Sequence, residues 1–182
     1  MIELTVKEVW NALSAAEKEE ACLAFLEGKD TFSKDVLPRV TQELAGALKF
    51  RETFLKRLPI REKARHLRRL VDSPTLRHAC DDLLRSWVVT RKTPMLVCFV
   101  EAQGLKHANG ILDDSVTQTD LKSVKKGVRA VLEKFPPREV ALYMGIMLTV
   151  GGDFWVGLAE AVESEFPGMK AALTSPVPSP VS

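Results

Sequence analysis

One irregular stretch, EAQGLKHANGILDD at 101–114, carries residue types that could do acid–base chemistry. It contains His107, one of three histidines in the chain, and the adjacent pair Asp113 and Asp114. A carboxylate beside an imidazole orients the ring and supports its action as a general base. The sequence shows no nucleophile or oxyanion donor to complete such a site. An enzyme with its site in this loop is therefore the third of three functional hypotheses, and we assign no catalytic residue.

The same loop also has a structural interpretation. Gly104 lies where the apolar periodicity of the preceding helix fails, which is typical of a left-handed residue that ends a helix. Asn109 and Gly110 both tolerate positive φ and predict a tight reverse turn. The residues on either side form a minimal hairpin or an irregular loop held by Leu105, Ile111 and Leu112. Asp113 and Asp114 then lead into the next helix, where acids favour the positive end of the dipole. Whether the loop is functional or only a connection stays open.

A second histidine, His78, precedes Asp81 and Asp82 by three and four residues, so an imidazole and a carboxylate share one helix face. The acid could orient the ring or share a cation, and the alternative is a surface histidine beside surface acids. Larger metal sites are not indicated, because the three cysteines are widely spaced and no Glu-x-x-His motif occurs. Phosphate-loop, dinucleotide-binding and hydrolase motifs are missing as well. We predict no metal, no cofactor and no enzymatic activity.

The clearest binding signal is an uneven distribution of charge. Residues 49–92 hold 13 Lys or Arg against 5 Asp or Glu, a net charge of +8, whereas the whole chain has a net charge of +2. The flanking segments are acidic: residues 1–48 have a net charge of −4 and residues 93–182 a net charge of −2. The sequence therefore predicts a basic face within 49–92.

Helical spacing gathers part of this block into one surface. In the helix predicted from 59, Ile60, Ala64, Leu67 and Val71 repeat at helical intervals and predict a buried stripe. The arginines of this helix, with one just before it, then share an adjoining surface without a carboxylate among them. We call this surface the arginine ridge: Arg57, Arg61, Arg65, Arg68 and Arg69.

Three interpretations of the arginine ridge compete. A guanidinium group binds two oxygens of a carboxylate or phosphate at once, so an acidic protein and a nucleic acid are both candidate partners. In the third interpretation the ridge is solvated, or pairs with the acidic N-terminal helices of the same chain. Aromatic residues for base stacking are few (Phe50, Phe54, Trp87). We predict a non-enzymatic protein–protein interaction module that binds an unidentified acidic partner through the basic face, with nucleic-acid binding through the same arginines as the alternative.

The elements that position these residues are predicted to be helical throughout. Thr5 with Glu8 and Ser14 with Glu17 form capping boxes, and apolar residues recur at helical rather than alternating intervals. We predict an all-α fold, a single compact domain over 1–166 with about nine short helices packed as antiparallel hairpins. The predicted helices are 5–12, 15–28, 33–56, 59–71, 74–91, 94–103, 118–134, 137–150 and 153–165. A break near Pro38 is expected, and Asp153 is a candidate cap.

Composition also predicts the centre and the end of the fold. The segments MLVCFV at 95–100 and VALYMGIMLTV at 140–150 are apolar on all sides, which is typical of helices surrounded by neighbours. From 167 to 182 the chain is rich in proline and serine, and we predict a disordered tail. No segment is apolar enough for a membrane helix, and the N-terminus lacks a secretory pattern. With buried reduced thiols expected, the predicted location is the cytoplasm, without a membrane partner.

Overall fold

The computed structural model describes residues 2–116, 119–151 and 154–175. The chain divides into two compact units. We call Leu13–Arg91 the middle unit, and we call the pair of segments Met1–Ala12 and Lys92–Ser182 the split unit. The prediction of one domain over 1–166 stays a prediction, since two compact units can still unfold as one cooperative body.

The all-α prediction is confirmed, because the described residues hold helices and only two strands of two residues each. The helices are α1 Val6–Ala12, α2 Ala15–Glu27, α3 Thr31–Leu48, α4 Glu52–Arg57, α5 Ile60–Asp72, α6 Cys80–Arg91, α7 Thr93–Glu101, α8 Leu121–Lys134, α9 Pro137–Val150, α10 Leu158–Glu165 and α11 Met169–Leu173. A 3₁₀ segment, Pro74–Ala79, precedes α6, and the strands β1 His107–Ala108 and β2 Ile111–Leu112 lie between α7 and α8.

Helix starts follow the caps written in the sequence. Both predicted capping boxes are confirmed: Glu17 N–H donates to Ser14 Oγ at 3.2 Å while Ser14 N–H donates to Glu17 Oε2 at 2.8 Å, and Thr5 forms the same reciprocal pair with Glu8. Asp30 caps α3 in a related way, accepting from Ser33 N–H at 2.7 Å. Each carboxylate or hydroxyl satisfies a backbone donor that the first helical turn leaves free.

The predicted helix at 33–56 is two helices, and it breaks at Lys49 rather than near Pro38. Pro38 removes one backbone hydrogen bond inside α3, yet α3 continues because Val40 and Leu44 are buried beyond it. Lys49 adopts a left-handed conformation with φ 56°, and Phe50 N–H donates back to Ala45 O at 2.9 Å. This geometry closes α3 and redirects the chain into α4.

The predicted disordered tail starts too early. Residues 169–173 form α11, in which Met169 and Leu173 are buried and which packs on α9. Two apolar side chains four residues apart give even a short helix one buried face, so the boundary at 167 is wrong. The rest of that prediction, 176–182, lies outside the described residues, as does the candidate cap Asp153.

In the middle unit, α2 is the central element, since it packs on both α5 and α6. Phe25 on α2, Leu67 on α5 and Trp87 on α6 are fully buried. The indole of Trp87 also needs a hydrogen-bond acceptor when buried, and its Nε1–H donates to Glu20 Oε2 at 2.8 Å. This unit thus has a core of its own beneath the arginine ridge.

In the split unit, the two segments predicted as the centre of the fold are mostly buried: all residues of 95–100 except Val97, and residues 140–147 of 140–150. Phe99 on α7 makes edge-to-face contacts with Tyr143 on α9, at 5.9 Å between ring centroids, and with Trp155 at 5.0 Å. Aromatic pairs of this geometry stabilise a core beyond their buried area. The core fixes α7, and thereby the start of the 101–114 loop.

Candidate functional site

The arginine ridge lies on the exposed side of α5 because three apolar residues hold the opposite side. Ala64, Leu67 and Val71 are buried in the middle unit, at the three- and four-residue intervals that define one helix face. Ile60, the fourth residue of the predicted stripe, is 39% exposed. It lies at the first turn of α5, beyond the edge of the core.

The five arginines of the ridge have different surroundings. Arg65 Nε lies 3.8 Å from Glu19 Oε1, and Arg68 Nη1 donates to the carbonyl of Ala15 at 3.5 Å. Both contacts join α5 to the N-terminal part of α2 and match the hypothesis of pairing within the chain. The remaining three form no hydrogen bond or ion pair in the part of the chain that the structure describes: Arg57, Arg61 and Arg69.

Carboxylates also belong to this surface, contrary to the sequence analysis. A shallow depression of about 470 Å³ is lined by Glu62, Arg65, His66, Arg68, Arg69 and Asp72. Asp72 follows Arg68 by four residues and Arg69 by three, so it shares their face. Its Oδ1 accepts from Lys18 Nζ at 2.7 Å. The depression is therefore of mixed charge, and the unpaired positive charge lies at Arg57, Arg61 and Arg69.

An exposed aromatic ring, Phe54, and a half-buried one, Phe50, precede the arginine-rich helix α5. Phe50 contacts Phe54 edge-to-face at 5.0 Å between centroids and contacts the ring of His66 at 5.9 Å. Half of the surface of Phe54 is exposed. Trp87, the third aromatic residue considered for stacking, is buried and cannot meet a ligand. Two phenylalanines therefore remain for contact with a partner.

An apolar groove runs between α3, α4 and α5. Its floor is the fully buried Leu55, and its walls include Leu37, Pro38 and Ile60. The groove has a volume of about 390 Å³. Sequence reasoning missed it, because α3 and α4 were predicted as one continuous helix, which has no internal corner.

A second basic surface, on α8 of the split unit, was also missed. Leu121, Lys122, Lys125, Lys126 and Arg129 line a shallow depression of about 270 Å³. The signal was present in the sequence, since the basic residues recur at three- and four-residue intervals. Part of this charge is neutralised: Lys125 Nζ lies 3.8 Å from Glu160 Oε1, and Arg129 binds both carboxylate oxygens of Glu165. We call this surface the α8 patch.

The structure gives His78 a different acid from the one expected. Its Nε2 lies 2.7 Å from Glu43 Oε2 on α3, so its acidic partner is Glu43 rather than Asp81 or Asp82. Asp82 instead accepts from Arg39 Nη2 at 3.2 Å, while partial burial raises its pKa. The pairing of His78 joins residues 35 positions apart, and spacing along one helix cannot reveal it.

The 101–114 loop is ordered by its own backbone turn. Antiparallel pairing of His107 with Leu112 and Ala108 with Ile111 confirms the predicted hairpin. Asn109 and Gly110 adopt φ 51° and 84°, and Gly104 adopts φ 71°, as a helix terminator should. The turn thus explains the unusual residues of this stretch without any chemistry.

Two of the candidate acid–base residues of the loop, His107 and Asp113, have other partners. His107 Nδ1 accepts from Gly110 N–H at 3.0 Å, and His107 Nε2 lies 3.8 Å from Glu101 Oε1. Asp113 accepts from Ser115 N–H at 2.8 Å, and hydrogen bonds from Ser115 lower the pKa of Asp113. No ion pair joins His107 to Asp113 or Asp114 in the described ranges. The catalytic hypothesis stays a prediction that these contacts do not support.

The thiols of the middle unit lie in its core. Burial raises the pKa of Cys22, and it raises the pKa of Cys80 to about 12, so both are protonated and unreactive near neutral pH. Among the described residues no three His, Cys, Asp or Glu side chains are grouped as metal ligands. Nor does any helix in those ranges have the length and apolar character that a membrane crossing requires.

Comparison with known proteins gives no assignment. No protein-family model matches the chain, and neither a curated protein nor a solved structure matches it. The surfaces of the two units therefore carry the functional argument alone.

Proposed function

We propose that this protein is a non-enzymatic interaction module whose middle unit binds an acidic protein through the arginine ridge. The observation that carries the proposal is the exposure of Arg57, Arg61 and Arg69 without a partner in the described residues. Other basic residues of the middle unit, among them Lys18 and Arg91, form ion pairs within the chain. The three arginines are thus the side chains of the ridge that are available for a carboxylate on another molecule.

The arginines of the ridge fall into those that contact α2 and those that do not, and we propose different roles for the two groups. Arg65 and Arg68 contact α2 and contribute to the packing of α5 on α2. Arg61 and Arg69 lie on the same helix but form no such contact. Replacing Arg61 and Arg69 by glutamine should therefore weaken partner binding without destabilising the middle unit. Replacing Arg65 and Arg68 should lower stability as well.

Nucleic-acid binding through the same arginines is the second candidate. One observation favours it: Phe54 is half exposed and is supported edge-on by Phe50, beside the basic helix α5. Stacking of a base on an aromatic ring contributes about 1–3 kcal/mol per base. Against it, the depression beside Arg69 contains Glu62 and Asp72, which repel phosphates.

Binding of two fluorescent probes separates the candidates. The first probe is a synthetic helical peptide rich in glutamate and alanine, and the second is a duplex oligonucleotide of mixed sequence. Fluorescence anisotropy at 50–300 mM salt should show binding of the acidic peptide. The variant Arg61→Gln/Arg69→Gln should bind it about two- to thirtyfold more weakly, because exposed ion pairs contribute about 0.2–1 kcal/mol each.

The matched control removes two charges from the α8 patch instead. Lys122→Gln/Lys126→Gln has the same net charge as the ridge variant and should leave the affinity for the peptide unchanged. Tight binding of the oligonucleotide would favour nucleic acid as the partner. In that case the slope of log affinity against log salt concentration should become flatter by about 1.8 in the ridge variant. No binding of either probe would remove the support for both candidates.

A further inference from the structure

We propose that the groove between α3, α4 and α5 holds an apolar side chain from an acidic amphipathic helix of the partner protein. This inference rests on the proposed function and extends it, since it adds a second contact surface and specifies the chemistry of the partner. The groove lies in the middle unit, and its apolar lining consists of Leu26, Leu37, Pro38, Leu55 and Ile60. Two of the exposed arginines, Arg57 and Arg61, directly follow lining residues in the chain.

The lining of the groove favours an aliphatic occupant. Leu55 is fully buried beneath the groove, and Ile60 remains 39% exposed although it is a large apolar residue. Covering such a residue removes apolar area from water, which is the main source of binding free energy at the centre of an interface. A volume of about 390 Å³ lies at the lower end of the range for small-ligand sites, roughly 300–1,000 Å³, and suits one or two side chains.

The charged residues at the rim of the groove favour a partner helix with acidic residues on either side of the inserted apolar side chain. Lys56 and Lys63 both line the groove, and Lys63 Nζ donates to the carbonyl of Lys56 at 3.2 Å. This bond holds an ammonium group between α4 and α5. Glu52 also lines the groove, but residues 49–63 hold six Lys or Arg against two Glu. The side chains that line the groove thus carry two positive charges against one negative charge.

These features together fit a helix better than a nucleotide. An amphipathic helix binds a groove through apolar residues at i, i+3, i+4 and i+7, and acids on its flanks would meet the lysines. A base needs an aromatic face or a planar guanidinium for stacking. No aromatic residue or arginine lines the groove, so a base has nothing there to stack on.

The test compares two labelled peptides of equal length and equal negative charge. One carries leucine at i, i+3, i+4 and i+7, and the other carries alanine at those positions. The full chain should bind the leucine peptide at least about tenfold more tightly, since burying one leucine is sufficient for that factor. Ile60→Gln should abolish the preference for leucine and leave the affinity for the alanine peptide unchanged. Gln42→Trp, at the exposed rim on α3, should do the same by filling the groove.

The control is Ile111→Gln, which removes an apolar residue of β2 that is 58% exposed and does not line the groove, and it should retain the preference. Equal affinities for the two peptides, both weakened by Arg61→Gln/Arg69→Gln, would refute the groove and leave the proposed function standing. No binding of either peptide would refute both. Sedimentation of the free chain tests whether it associates with itself. Self-association that Ile60→Gln abolishes would also overturn the proposal, because a second copy would then occupy the groove.

Discussion

Asp30 joins the start of α3 to α6, and Asp30→Ala measures how much this link stabilises the middle unit. Its Oδ1 caps α3 by accepting from Ser33 N–H at 2.7 Å, and its Oδ2 accepts from Ser86 Oγ at 2.8 Å. Loss of the cap costs about 0.5–2 kcal/mol. Ser86 is fully buried, so its hydroxyl loses its acceptor at a further cost of about 1–3 kcal/mol. The expected decrease in the free energy of unfolding is the sum of the two, about 1.5–5 kcal/mol.

Urea denaturation followed by circular dichroism measures this change. Ser86→Ala alone should cost about 1 kcal/mol, since it removes one hydrogen bond without leaving a buried donor unpaired. The double variant Asp30→Ala/Ser86→Ala should then cost less than the sum of the single variants by about 1 kcal/mol or more. Strictly additive costs, or an Asp30→Ala cost below about 0.5 kcal/mol, would refute this account of the link.

The same carboxylate makes stability depend on pH. Burial alone would raise the pKa of Asp30, but hydrogen bonds from Ser33 and Ser86 outweigh burial and lower it below its usual value. Stabilisation by the ionised form is therefore present above the unfolded pKa of about 3.9 and is lost as pH falls through the lower folded pKa. Asp30→Asn keeps a capping oxygen, and its stability deficit relative to the natural chain should shrink between pH 6 and pH 3.

Three further changes test other parts of the fold. Gly110→Ala should lower the free energy of unfolding, measured by thermal denaturation, by about 1–3 kcal/mol, because φ is +84° and a Cβ would lie 2.6 Å from Leu96 Cγ. Gly104→Ala should lower it less, because Gly104 has a positive φ but open space around its Cα. Trp87→Phe should lower the free energy of unfolding in urea by about 1–3 kcal/mol, because the Glu20 carboxylate on α2 loses its indole donor. Stability should fall as pH rises from about 8.5 toward the folded pKa of Cys80, about 12, since the unfolded thiol ionises first; a flat profile there would contradict the burial of this thiol.

Local interactions made much of the fold predictable. The capping boxes, the helix-ending Gly104 and the Asn109–Gly110 turn depend on residues at most four positions apart, so their signals are contained in short stretches of sequence. The buried stripe of α5 was predictable for the same reason. Ala64 and Leu67 occur at the spacing of one helix face and are buried, which also placed the arginine ridge on the outside.

Contacts between residues far apart in the chain account for the features of the structure that the sequence did not predict. Lys49 takes the left-handed position that glycine usually marks, so nothing in its type indicated the end of α3. Helix α11 depends on burial against α9, and the proline-rich composition nearby concealed it. The division of the ridge depends on Glu19, which lies 46 positions before Arg65 but 3.8 Å away in space. The groove depends on the break at Lys49 and was hidden with it.

Chemical-shift mapping locates the binding surface of the acidic peptide residue by residue. An amide ¹H–¹⁵N spectrum of the full chain, titrated with the acidic leucine peptide at 100 mM salt, reports which residues change environment. Perturbed amides should concentrate in α4, α5 and the part of α3 around Leu37, and Arg61→Gln/Arg69→Gln should reduce the size of these perturbations. Perturbations centred on the α8 patch, or none on α5 at saturating peptide, would contradict the assignment of the arginine ridge as the binding surface.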